Sequence, residues 1–363
     1  MTKIHNFSAG PAILPQSAID ASIEALKNFS GTGLSLIEVS HRSKEYEAVV
    51  NEACQLVKEI LNLSDEYAVI FLQGGASTQF DMIPMNFLGD NETAAYVNTG
   101  VWAGRAIKEA KMFGNVNVLA SSEDKNFNYI PKDYTIPTDV KYFHCTSNNT
   151  IYGTEMFSFP ETTVPMVCDM SSDIFSRPFD ASKFDLIYAG AQKNMGPAGT
   201  TLVIIKKSML NSRASNRKFP TMLDYAPHIE NGSMYNTPSV FAIFVCMHTL
   251  RWIKSIGLEA METRNKAKAD LLYAEIDRNS LFEGTVAKED RSRMNVNFVL
   301  TNKDFEAEFL KLCDSRNLSG LKGHRSVGGL RASLYNALPI ESVQVLVDTM
   351  KEFEAGKNGV KLS

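Results

Sequence analysis

This chain lacks most of the features that mark specialised protein classes. It has no basic surplus: 37 Lys and Arg stand against 41 Asp and Glu, a net charge of −4 and a pI near 5.9. A nucleic-acid partner, which usually needs a cationic face, is not expected. It has no long hydrophobic run, since the longest, Val240 to Met247, is too short to span a bilayer. The opening residues MTKIHNFSAGPAILP carry no apolar signal core, so a cytoplasmic location is expected. Five scattered cysteines (Cys54, Cys145, Cys168, Cys246, Cys313) show neither CxxC nor metal-ligand spacing. Four lie in apolar contexts, as buried thiols in a reducing compartment do. No GxGxxG, GxxxxGK[ST] or GxSxG occurs, and no Ser-His-Asp constellation. Dinucleotide, P-loop and serine-hydrolase chemistry therefore have no support. His5, His144, His228 and His248 have no metal spacing, so no metal is expected.

What is present is α/β patterning. From Tyr67 to Lys207 the chain carries YAVIFLQ, TAAYVNT, VNVLAS, VKYFHCTS, VPMVCDMS, DLIYAGA and TLVIIKK. Several of these are apolar on both faces, like buried parallel strands. Helical patterns such as STQFDMIPMNFL and WAGRAIKEAKMFG lie between some of them. The alternation predicts a mostly parallel, seven-stranded sheet. Only a short Gly/Pro loop joins DLIYAGA to TLVIIKK, too short for a parallel crossover, so TLVIIKK should run antiparallel to its neighbour. After about residue 255 the pattern changes. A long amphipathic helix (IGLEAMETRNKAKADLLYAEIDRN), the strands RMNVNFVLT and GGLRASLY, and helices at DFEAEFLKLCDSRN and PIESVQVLVDTMKEFEAG predict a smaller α+β unit. The expected division is a large domain, 15–255, and a small one, 256–363 with 1–14, and a cleft between them.

The chemistry centres on DLIYAGAQKNMGPAGTT. An apolar strand delivers Lys193 into a Gly/Pro-rich loop, and a lysine held out of water can lose its proton and act as a nucleophile. Twenty-four residues upstream, TVPMVCDMSSD ends a strand at Asp169 in the same way. A solvated loop lysine and a turn aspartate would read alike, but the pair is also what a pyridoxal-phosphate enzyme needs, one group for the Schiff base and one for the pyridine nitrogen. LQGGASTQF offers Gly flexibility and a helix start whose free N–H groups, at Ala76 and Ser77, suit a phosphate. A plain strand–turn–helix capped by Ser fits that segment equally. Trp102, in VNTGVWAGRA, is either a core anchor or a ring for a flat cofactor to stack on. His41 and Arg42 in EVSHRSKEY, His324 and Arg325 in LKGHRSVGG, and Arg331 in GGLRASLY form repeated loop cations, suited to capturing anions.

Side by side, these segments resemble the phosphoserine aminotransferases, fold-type I pyridoxal-phosphate enzymes. NFSAGPA, EVSHRSKEY, QGGASTQF, NTGVWAGRA, SNNTIYGT, DMSSDIFSRP, GAQKNMGPAG, MLDY, YNTPS and GHRSVGGLRASLYNALP follow in family order nearly end to end. The resemblance implies a Schiff-base role for Lys193, with Asp169 at the pyridine nitrogen and Trp102 stacked on the ring. It places Thr150 at the phenolic oxygen and Ala76, Ser77 and Gln192 at the phosphate. Asn236 and Thr237 would reach the cofactor of a neighbouring subunit, which implies a homodimer with shared sites. Arg331 would clamp the substrate α-carboxylate. His41, Arg42, His324 and Arg325 would cradle a phosphate or the γ-carboxylate of glutamate, and Ser8 would also touch substrate. The implied reaction is reversible amino transfer between L-glutamate and 3-phosphohydroxypyruvate, giving O-phospho-L-serine and 2-oxoglutarate. The alternatives are another fold-type I enzyme, such as an alanine–glyoxylate aminotransferase or a cysteine desulfurase, and a non-catalytic phosphate-binding α/β protein.

Overall fold

The computed structural model describes residues 3–214, 217–218, 220–325 and 327–357. Along the chain run β1 (His5–Asn6), α1 (Gln16–Lys27), α2 (Lys44–Ile60), β2 (Tyr67–Leu72), α3 (Gly75–Phe87), β3 (Thr93–Asn98), α4 (Val101–Ala110) and β4 (Asn115–Ser121). Then follow β5 (Phe143–Thr146), β6 (Met166–Asp169), β7 (Leu186–Gly190), β8 (Thr201–Lys206), α5 (Tyr225–Glu230), α6 (Val240–Ile256) and α7 (Leu258–Arg278). The last elements are β9 (Phe282–Gly284), β10 (Asn295–Leu300), α8 (Glu306–Ser315), β11 (Leu318–Ser319), β12 (Leu330–Ser333) and α9 (Ile340–Lys357).

Seven strands form one sheet in the order β2-β8-β7-β6-β5-β3-β4. β3 to β7 are mutually parallel, and β8 runs antiparallel to both β2 and β7. The short loop before β8 thus has the consequence expected of it. The two-residue period of a strand sorts the core. Tyr67, Val69 and Phe71 of β2 face one apolar layer with α2 and α6, while Ala68, Ile70 and Leu72 face another with α3 and α4. The sheet is therefore covered on both sides. β4 is the exception: its side chains are half or fully exposed, whereas β2, at the other edge of the sheet, is buried.

α1, α2 and α6 were not evident from the sequence. α6 is apolar through its first half because it is packed against both α1 and α2, and only its second half carries a polar stripe, at His248, Arg251, Lys254 and Ser255. α2 is better marked: Ser43 caps it by accepting from the Tyr46 N–H, and Glu45 and Glu47 sit in its first turn. No single helix among the described residues is long and apolar enough to cross a membrane.

A second sheet, β12-β10-β9, packs with α7, α8 and α9 around its own core of Leu272, Phe298, Phe309, Leu330 and Leu346. α7 serves both cores, with Met261 in the large one and Leu272 and Ile276 in the small one. The N-terminal segment joins this second unit. β1 pairs parallel with β11, and Phe7 is fully buried in the small core.

Candidate active site

The carboxyl ends of the parallel strands converge, and a ligand crevice forms where the strand order reverses. Here that reversal flanks β3: the chain leaves β3 for β4 on one side and returns to β5 on the other. Two loops are stitched together at that point. The Asn149 side-chain amide donates to the Thr99 carbonyl. Gly100, at φ +147°, leaves room for it, since a Cβ there would run into the Asn149 amide. α4 begins one residue later and carries Trp102, and the next residue after Asn149 is Thr150.

Lys193 follows β7 and reaches into this crevice. Its Nζ donates to Thr150 Oγ1 at 2.6 Å and lies 5.6 Å from the centre of the Trp102 ring. Burial lowers the amine from its ordinary 10.5 to about 8; Asp169 pulls the other way, and Arg331 adds to the lowering. Asp169 ends β6 and is buried; burial raises its carboxyl, opposed by Lys193 and by Ser171. The Ser171 N–H and Oγ both donate to Asp169 Oδ1, at 2.9 and 2.6 Å, which fixes the carboxylate plane. Arg331 of β12 donates from Nη1 to the Thr150 carbonyl at 3.0 Å, while its Nε is buried and without a partner. The Trp102 Nε1 is likewise buried and unpartnered.

The α3 start lies beyond β2. Gly74 is its N-cap, at φ 93°, with no side-chain cap, so the Ser cap allowed by the sequence is not formed. Thr78 packs where a Gly74 Cβ would be. Ala76 and Ser77 therefore stand in a first helical turn whose N–H groups have no intrahelical acceptors. Asn236 donates to Gln73 Oε1 at 3.2 Å, just before that turn, with its Oδ1 buried and unpartnered. Thr237 beside it is exposed. Gln192 adjoins Lys193, and its backbone carbonyl accepts from the Ala12 N–H at 2.9 Å.

The N-terminal segment lies against the same residues. A Cβ on Gly10 would meet Lys193 Cγ at 3.4 Å. The Ala9 carbonyl accepts from Tyr335 Oη at 2.8 Å, and the Ser8 N–H donates to Asn6 Oδ1 at 3.0 Å. His324, half-buried, is lowered by burial and by Arg331, Arg325 and Arg105 together, so these cations share one neighbourhood. Arg325 is exposed. His41 and Arg42 sit before α2. Among the described residues they make no hydrogen bond or ion pair with this group, and the His41 Nε2 is buried without a partner.

The model of the family described as "Aminotransferase class-V" matches residues 4–346. The chain belongs to that family. Among class-V aminotransferases it is 59% identical over 354 residues to the phosphoserine aminotransferase of Flavobacterium psychrophilum, covering 97% of this chain and 99% of that one. The solved phosphoserine aminotransferase from Bacillus circulans subsp. alkalophilus superposes with a TM-score of 0.95 at 46% identity, covering 98% and 99% of the two chains. The pyridoxal-phosphate-bound phosphoserine aminotransferase from Trichomonas vaginalis does so with 0.91 at 39% identity, covering 96% and 100%.

Two groups beside these residues escaped the sequence reading. One is Arg105, whose guanidinium lies 4.9 Å from the Trp102 ring centre. It sits three residues after Trp102 on one helical face, a spacing that could have drawn attention to it. The other is a buried network behind Asp169. Arg177 donates from Nε to Glu155 at 3.2 Å, and its Nη2 lies 3.9 Å from Asp173. Ser147 Oγ touches both the Asp169 carbonyl and the Asp173 carboxyl. One hydroxyl proton cannot serve both acceptors. A protonated Asp173 donating to Ser147 satisfies both, in accord with burial and the nearby Glu155 raising that carboxyl to about 7. The second Asp of DMSSDIFSRP gives no sequence sign of being buried.

Proposed function

We propose that this enzyme is a phosphoserine aminotransferase, moving an amino group reversibly between L-glutamate and 3-phosphohydroxypyruvate to give O-phospho-L-serine and 2-oxoglutarate. The observation that carries the reading is the Lys193 amine, held by Thr150 under Trp102 with Asp169 and Arg331 acting on it.

The residues present fit pyridoxal phosphate. Lys193 would hold it covalently, and Thr150 would donate to its phenolic oxygen. Asp169, tied through Oδ1 to Ser171, has a second oxygen to offer the pyridine nitrogen. Ala76, Ser77 and Gln192 would meet the phosphate, helped by the α3 N-terminus. When bound, the cofactor supplies an electron-poor ring that stabilises negative charge at the substrate Cα.

The rest is the work of the chain's own residues. Arg331 binds the α-carboxylate through a planar fork whose Nε is unpartnered. Lys193, freed by the incoming amine, takes the proton from substrate Cα. An amine near pKa 8 is neutral far more often at working pH than an ordinary lysine, so it is suited to that task. His324 and Arg325 meet the distal anion, with Ser8 at the entrance. His41, Arg42, Asn236 and Thr237 serve the site across a homodimer interface; for His41 and Arg42 this fits their lack of bonds to the Arg331 group among the described residues, while Asn236 reaches Gln73 of its own chain. The buried Cys145, Cys168, Cys246 and Cys313 fit a reducing cytoplasm. We also divide the chain into a large domain, 15–255, and a small one, 256–363 with 1–14. Two separate apolar cores support this, and residues 1–2 and 358–363 lie outside the described residues.

The test is a substrate screen on purified enzyme with Lys193→Ala beside it. The wild-type protein should be yellow, and borohydride should fix the cofactor to Lys193 by mass spectrometry but not in K193A. O-Phosphoserine and glutamate should be donors with ping-pong kinetics, alanine a poor one. Equal use of alanine and O-phosphoserine would favour the alanine–glyoxylate type of enzyme. A colourless protein that pyridoxal phosphate cannot reconstitute would remove the whole reading.

A further inference from the structure

Eight of the thirteen arginines sit in ion pairs with carboxylates. Among the described residues, those that do not are Arg42, Arg105, Arg264, Arg325 and Arg331. An arginine without a carboxylate is available for an anion from solution, and three of these five converge electrostatically on His324. Arg105 is the unassigned one of the three. It is exposed on α4, and its guanidinium is held 4.9 Å from the centre of the Trp102 ring. The Lys193 amine lies 5.6 Å from the centre of the same ring, so Arg105 and the reacting amine share one aromatic neighbour. Stacking on an indole orients a guanidinium without using up its hydrogen-bond donors.

We infer that Arg105 is a further member of the distal-anion cradle and biases the enzyme toward phosphate over carboxylate. The inference rests on the substrate reading above and extends it to a residue outside the His-Arg pairs. The physical basis is charge. A phosphate monoester carries about −1.5 to −2 near neutrality, a carboxylate −1, and Coulomb energy is linear in charge. One added cation therefore favours the phosphate by about twice as much free energy. His324 does not supply that charge by itself, since burial and the surrounding cations hold it below its ordinary value of 6.5. The fixed charge at neutral pH comes from the arginines.

The experiment is steady-state kinetics on holoenzyme carrying Arg105→Met, which keeps an apolar stem over Trp102, and Arg105→Lys, which keeps the charge. R105M should raise KM for O-phosphoserine about tenfold and KM for glutamate about threefold, the ratio that doubling the charge requires. R105K should recover most of the loss. Raising ionic strength should narrow the gap between wild type and R105M, because the site is exposed. Calorimetric titration with inorganic phosphate should show the same weakening in R105M and recovery in R105K. Equal KM changes for the two donors, or equal losses in R105M and R105K, would overturn the inference. If wild-type enzyme does not use O-phosphoserine at all, the substrate reading fails first, and the phosphate titration still decides whether Arg105 binds phosphate.

Discussion

Lys193 shows how much a single residue owes to its surroundings. In water its amine would be protonated up to pH 10.5; in this crevice burial brings that to about 8 even though Asp169 favours the charged form. Only the neutral amine can attack an aldehyde, and it appears as pH rises through the pKa. Cofactor uptake by cofactor-free protein should therefore climb with a midpoint near pH 8 and level off about one unit above it, not keep rising past 10.5. Asp169→Asn removes the charge that favours the protonated amine, so the midpoint should fall further. Stopped-flow absorbance across pH checks both, and a wild-type midpoint near 10 would refute the argument. At this scale the sequence revealed much. Lys193, Asp169 and the His-Arg pairs stood out through residue type and strand-end position. Arg105 and Asp173 did not, because an exposed helical arginine and a second turn aspartate are common. Only the ring beside one and the burial of the other distinguish them.

The elements were legible where a period was clear. The strands of the large sheet and the reversed β8 followed from short apolar runs and one short loop. Bounds were less so: β5 keeps only Phe143–Thr146 of VKYFHCTS, because its pairing with β6 begins at Phe143, opposite Met166, and runs only to Thr146, opposite Asp169. α6 was hidden by being apolar through its first half. The β3–α4 junction depends on one residue. Gly100→Ala would displace the Asn149 amide from the Thr99 carbonyl and force a side chain into a φ of +147°. We expect a loss of about 2–4 kcal/mol in chemical denaturation and a fall in cofactor occupancy, since Trp102 and Thr150 flank that junction. Full stability and occupancy in G100A would show that the junction tolerates displacement.

For the whole molecule, the distribution of cations has a consequence that can be measured by mixing. If Arg42 serves the partner's site, Lys193→Ala and Arg42→Ala subunits complement each other. Their heterodimer contains one site with both residues intact. Random reassembly makes half the dimers mixed, so activity at low O-phosphoserine should return to about a quarter of wild type. Retention of only the low activity of the R42A parent would mean that Arg42 acts within its own chain. No sequence pattern could have settled this, because the proposed cradle draws on residues far apart in the chain, and sequence order does not say which of them share a subunit.

The position of the N-terminal segment bears on how this protein is made. His5 and Asn6 pair with Leu318 and Ser319, Phe7 is packed in the small core, and the Ala9 carbonyl accepts from Tyr335 Oη. His5 and Asn6 thus find their seats only after β11, more than 300 residues later, has been synthesised. The large sheet can form early, but the segment lying against Lys193 stays unplaced until β11 and Tyr335 have been made. A nascent chain of this enzyme covers its reactive lysine only after the second sheet's segments have emerged, and a version shortened after β8 would carry the lysine without that cover.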